Sequence, residues 1–223
     1  HIINHNIFDY NFQKQIVIDK TDLLILGNPP WVTNSMLSTL NSGNLPKKAN
    51  FKNHNGLDAI TGKGNFDIAE YITNSLLDYF QNYEGHLAFL LKNTVIKNLV
   101  FEQNKQKRNI GQIEKQVINA KEEFNVSVDA SLFFCKLSTQ PEKVCNEFDF
   151  YTQQQKQTFG WVGQKFVSNL ETYQKTSYID GKSPFVWRQG VKHDASKIME
   201  LERRNGHFLN KNNEEFELEE DLV

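Results

Sequence analysis

The sequence lacks any apolar run near the roughly 20 residues that a membrane-spanning helix needs, so an integral membrane protein is not expected. No basic-then-apolar stretch follows His1, and no secretory signal is expected either. Cysteine is scarce: Cys135 and Cys145 are the only two in 223 residues. That is too few for a disulfide framework or a zinc site, and a reducing cytoplasm is the compartment it fits. His5, His54, His86, His193 and His207 stand at no metal-ligand spacing, so no metal is expected. An excess of one charge is also missing, since 25 Lys and Arg against 27 Asp and Glu give a net charge of -2. This balance argues against a polybasic nucleic-acid binder, while leaving room for an enzyme that meets DNA through one local patch. What remains, 39% hydrophobic and 23% charged, is a globular composition. The length suits one domain, or one domain and part of another.

Leu23 to Leu26 is a continuous apolar run bounded by Asp22 and by Gly27-Asn28-Pro29-Pro30. This pattern predicts a strand buried on both faces. The strand must stop at Pro29, because proline cannot donate to a sheet ladder. Residues 33–64 are polar and rich in Asn, Gly and Lys, a loop longer than a compact domain tolerates without a functional reason. Ile68, Ile72, Leu76, Leu77 and Phe80 fall at helical spacing and predict a helix from about Phe66 to Phe80. Gly85 then precedes a second buried strand, His86 to Leu91. Strand, helix, strand in this order argues for a parallel α/β sheet. Further expectations are a poorly defined helix near Asn98 to Lys107 and strands at Ile113–Ile118, Ser127–Leu137 (its β-rich half Ser131–Leu137) and Phe148–Tyr151. Composition changes after Leu137, and a domain boundary is expected there: 1–138 and 139–223.

Asn28-Pro29-Pro30-Trp31 is the feature that carries chemistry. It follows a buried strand, and ligands of open α/β sheets bind at the carboxyl ends of strands. Two successive prolines stiffen the backbone, so that the Asn28 side-chain oxygen and the Pro29 carbonyl can be aimed at one point. Two convergent acceptors suit an exocyclic amine, and Trp31 offers a flat face on which a base can stack. The plainer alternative is a Pro-Pro turn capping a strand, with Trp31 as packing.

Asp22-Leu23-Leu24-Ile25-Leu26-Gly27-Asn28-Pro29-Pro30-Trp31 resembles motif IV of the amino-group DNA methyltransferases, which methylate adenine at N6. Gly64-Asn65-Phe66-Asp67-Ile68-Ala69-Glu70-Tyr71 resembles their motif V, Gly85 to Leu91 the motif VI strand, and Glu123-Phe124-Asn125-Val126 motif VIII. Asn6-Ile7-Phe8 resembles the end of motif III. The resemblance covers about residues 5–137, and it departs where Lys92-Asn93 follow the motif VI strand in place of the proline of many relatives. It implies a Rossmann-like methyltransferase sheet lacking its first strands. It also implies S-adenosylmethionine as cofactor, held in part by Asn6, Ile7, Asn28 and Phe66. Asn28, Pro29 and Trp31 would be catalytic, with Trp31 and Phe124 stacking on a flipped-out adenine.

The family's glycine-rich cofactor loop and acidic ribose residue would precede His1, and both ends of the chain read as cut. Residues 187–195 are similar to an early part of the target-recognition region of large single-chain restriction-modification enzymes. Between Lys182 and Arg204 six Lys and Arg stand against three acids, so Arg188, Lys192 and His193 are candidates for DNA contact. Double-stranded DNA is the partner this implies, with a nuclease domain in the same parent chain left open. Two alternatives stay open: methyl transfer to a protein glutamine or to RNA, and a DNA-binding or complex-forming module without catalysis.

Overall fold

The computed structural model describes residues 2–12, 22–33, 67–185 and 200–217. It divides into two compact units, His1–Tyr178 and Ile179–Val223. The first is built on β1 (Leu23–Gly27), α1 (Ile68–Phe80), β2 (Gly85–Lys92), α2 (Asn93–Gln106), β3 (Ile110–Val117), α3 (Ala120–Phe124) and β4 (Ala130–Leu137). β5 (Val144–Asp149), β6 (Gln155–Val162), β7 (Lys165–Val167) and α4 (Leu170–Thr176) complete it.

The strands form one sheet in the order β1-β2-β4-β3-β5-β6-β7. β1 is parallel to β2, β4 is antiparallel to both β2 and β3, and β3 is parallel to β5. Followed through the antiparallel β6 and β7 pairings, β1, β2, β3, β5 and β7 point one way and β4 and β6 the other. The expected α/β arrangement is present, with the strand at Ala130–Leu137 antiparallel to both of its neighbours.

The helix expected from Phe66 begins at Ile68, because Asp67 caps it by accepting a hydrogen bond from the Ala69 amide. Its stripe of Ile68, Ile72, Leu76, Leu77 and Phe80 is buried. At about 1.5–3 kcal/mol for each large side chain fully buried, this stripe is a leading contribution to the core. It joins Leu87, Phe89 and Leu91 of β2 and Phe133, Cys135 and Leu137 of β4 in one cluster. α2 starts five residues earlier than the expected Asn98, directly after β2. Burial of Val95, Ile96, Leu99 and Val100 outweighs its low overall hydrophobicity.

One expectation changes. β1 is not buried on both faces: Leu24 and Leu26 are 59% and 68% exposed, while Leu23 and Ile25 pack on the core. Among the described residues β1 is hydrogen-bonded to a strand on its β2 side only. The composition change after Leu137 is a turn within the sheet. Ser138, Thr139 and Glu142 donate to the carbonyls of Gln81, Asn109 and Ile110, which returns the chain as β5 beside β3. The two compact units part at Tyr178, so residues 139–178 continue the sheet of the first unit.

The second unit holds an antiparallel sheet of β8 (Leu201–Arg204), β9 (His207–Asn210) and β10 (Glu215–Phe216). Arg204 pairs with Glu202 at 2.6 Å, and the Arg203 guanidinium lies 5.7 Å from the centre of the Phe208 ring. No described helix is long and apolar enough to cross a membrane.

Candidate active site

β1 ends at Gly27, opposite Phe89 of β2. Asn28 then stands exposed, Pro29 is buried and Pro30 is exposed. The backbone is next fastened at three successive residues. Trp31 packs half-buried against the core, and its indole N–H donates to the Leu90 carbonyl at 3.1 Å. The Val32 carbonyl accepts from the Ile68 amide at 2.9 Å. Thr33 forms an antiparallel bridge with Asp67. The Asn-Pro-Pro-Trp segment is thus held between the end of β2 and the first turn of α1.

Asp67 has two tasks. One carboxylate oxygen caps α1 and the other accepts from Lys92 Nζ at 2.7 Å. The two side chains are 11% and 20% exposed, so this is a largely buried ion pair. Asn93, the next residue, donates its amide to the Asp129 carbonyl and accepts from the Ser131 hydroxyl at 2.7 Å. Lys92-Asn93 therefore ties the end of β2 both to α1 and to the start of β4. Neither tie was expected from the sequence, where Lys92 stood out only as a departure from a family pattern.

Phe124 ends α3, which Asn119 caps and the left-handed Asn125 (φ 53°) terminates. The ring is 50% exposed. β3 finishes at Val117 opposite Ser131, and β2 finishes at Lys92 opposite Ala130. The β3–β4 connection that carries Phe124 therefore leaves the sheet at the same edge as Asn28 to Trp31, two strand positions across from β1. Tyr151 donates to the Glu123 carboxylate at 2.7 Å beside Phe124, and this bond pushes the phenol pKa up.

Asn6 turns its amide onto its own turn, accepting from the Phe8 amide and donating to Asp9. Ile7 and Phe8 line a cavity of about 600 Å³ against Tyr71, Ile72 and Tyr79 of α1. Phe66, Arg188, Lys192 and His193 lie outside the described residues. Among those that are described, no group of three His, Cys, Asp or Glu is placed to hold a metal.

No protein-family model matches the chain. Over 201 residues, 89% of its length, it is 36% identical to the type II methyltransferase M.NspV of Nostoc sp.. Over this stretch the chain is related to a type II methyltransferase. It spans 42% of the length of that relative. Its sheet is the Rossmann-like sheet of a methyltransferase, and Asn28 to Trp31 stand at the edge where such sheets bind ligands. Both cysteines are core residues. Burial pushes the Cys135 thiol up to about 12 and raises Cys145 as well, so neither is a thiolate nucleophile at neutral pH.

Proposed function

We propose that this protein transfers a methyl group from S-adenosylmethionine to the N6 amine of an adenine flipped out of double-stranded DNA. It would do so at a specific site, as the modification activity of a restriction-modification system in the cytoplasm. The observation that carries this reading is the Asn28–Trp31 segment itself: an exposed Asn28 at the carboxyl end of β1, followed by an indole fastened to Leu90.

A base stacked in a duplex cannot reach a methyl donor and must be extruded. Trp31 and Phe124 stack on it, each contact worth about 1–3 kcal/mol. The adenine amine is a weak nucleophile because its lone pair is delocalised into the ring. Asn28 Oδ1 and the Pro29 carbonyl accept hydrogen bonds from its two N–H groups, which favours a pyramidal nitrogen and localises the pair. The protein's contribution is position and electrostatics, with no covalent intermediate.

The cavity lined by Ile7, Phe8 and Tyr71, to which Asp9, Asn11 and Ser75 add polar groups, would take the adenine of the cofactor. Ile7 lines it directly, Asn6 shapes the turn that carries Ile7, and Asn28 and Phe66 complete the set that the family resemblance assigns. When bound, S-adenosylmethionine supplies an electrophilic sulfonium methyl. The slot grips only the adenosine end. Calorimetric titration of residues 1–223 alone is therefore expected to give weak binding or none, and micromolar affinity would contradict this.

Residues 139–223 would begin target recognition, with Arg188, Lys192 and His193 on phosphates and hence salt-sensitive binding. Trp31→Ala is expected to weaken capture of the flipped base. Trp31→Phe should retain much of it, because a flat face survives although the bond to Leu90 is lost. Fluorescence of a 2-aminopurine placed at the target position reads both. The reading as a whole is tested by offering labelled cofactor with DNA, RNA or a glutamine peptide to the full-length protein. Label on DNA supports it, whereas label on RNA or peptide alone, or none, rejects it.

A further inference from the structure

We propose that Lys92 is a positioning residue for the Asn28–Trp31 segment, acting through Asp67; this rests on the methyl-transfer reading of that segment. Two elements hold the segment. β2 grips Trp31 through the Leu90 carbonyl, and the first turn of α1 grips Val32 and Thr33 through Ile68 and Asp67. The placement of Asn28 therefore depends on how the end of β2 and the start of α1 sit relative to one another. The Lys92–Asp67 pair joins these two points. Lys92 is two residues beyond Leu90 on β2, and Asp67 is both the cap of α1 and the bridge partner of Thr33.

The division of labour within Asp67 makes the pair separable from the fold. Oδ1 serves the Ala69 amide and Oδ2 serves Lys92. Without the lysine, the carboxylate still caps α1 and still meets the positive end of the helix dipole. α1 and β2 also remain packed through Ile68, Ile72 and Leu87 in the core. What is lost is a charged tie, screened little because both side chains are mostly buried. The gap it spans is the one across which Trp31 and Val32 are held. A displacement of the reacting groups of about 1 Å can cost on the order of 10²-fold in rate, so a small relaxation at this joint lowers turnover without loosening the grip on DNA.

The test is Lys92→Met, Asp67→Asn, the double variant and Lys92→Arg in the full-length protein. Asp67→Asn keeps a good capping side chain and removes the charge. Expected for each of the first two is a roughly 10- to 100-fold lower kcat, with KM for DNA close to that of the unsubstituted protein and an unfolding midpoint that falls because one charge is left without its partner. The double variant should be no slower than the slower single one, since both remove the same interaction. Lys92→Arg should retain most activity. The indole N–H resonance of Trp31, assigned through Trp31→Phe, should move in Lys92→Met and return in Lys92→Arg. This second readout needs no turnover. If the unsubstituted protein methylates nothing, the functional reading fails while the resonance still judges the tie. An unchanged kcat with an unmoved resonance overturns the proposal. So does a loss of DNA affinity in step with kcat, which would make the pair a general fold element.

Discussion

Asn28→Ala is expected to abolish methyl transfer by the full-length protein while leaving its fold nearly unchanged and lowering cofactor affinity far less than turnover. Asn28 is exposed at the end of β1, and no core packing depends on its side chain. The segment around it is held by Trp31, Val32 and Thr33, each of which keeps its partner in the variant. The loss is therefore chemical. The Asn28 oxygen meets an amine that becomes more acidic as its nitrogen attacks, so its hydrogen bond strengthens on the way to the transition state. Interactions of that kind raise kcat and leave ground-state binding largely alone. Losing one preorganised partner at a reacting centre typically costs about 10²–10³ in rate. Tritium transfer to DNA, with circular dichroism and cofactor titration on the same preparation, separates the two effects. Near-normal turnover with adenine as acceptor would reduce the segment to a strand-capping turn.

The second large effect is on the scaffold. Gly85→Ala is expected to detach β1 from β2 and to destabilise the protein by about 1–3 kcal/mol, the usual range for forcing extra volume into a packed site. Gly85 opens β2 with φ 152°, a conformation that side chains with a Cβ rarely adopt. An added Cβ would fall 1.9 Å from the carbonyl oxygen of Leu23, so backbone must move. Leu23 is its pairing partner and the first residue of β1. Denaturant titration measures the global cost. Hydrogen exchange at Ile25 and Gly27, which share the β2-facing register of Leu23, should rise more than exchange at the Ala130 end of β4, the end farthest from Gly85. Equal protection across both strands would show that the sheet absorbs the methyl elsewhere.

Elements with strong local patterns were legible from the sequence. β1 and β2 are apolar runs bounded by glycine and proline, α1 has five apolar residues on one stripe, and β4 is largely apolar with two adjacent phenylalanines. The βαβ order then implied the parallel pairing, and Pro29 fixed the end of β1 and hence the exposure of Asn28. What escaped was long-range. The Trp31–Leu90 bond joins residues 59 apart in sequence, and the Asp67–Lys92 pair joins residues 25 apart. Neither leaves a local signature. The start of α2 was missed because Lys92 offers no capping side chain. Ser138-Thr139-Gln140-Pro141 looks the same whether a turn leads to a new domain or, as here, to the next strand of the same sheet. The exposure of Leu24 and Leu26 could not be read either, because an apolar run does not reveal which of its faces is covered.

The central claim, that this site methylates the amine of adenine, is tested most directly by the identity of the product. DNA is incubated with the full-length protein and methyl-labelled S-adenosylmethionine, digested to nucleosides and separated. The account predicts label in N6-methyldeoxyadenosine at one sequence context, and its disappearance with Asn28→Ala. Label in a methylated cytosine, or label in deoxyadenosine that persists in Asn28→Ala, would contradict it.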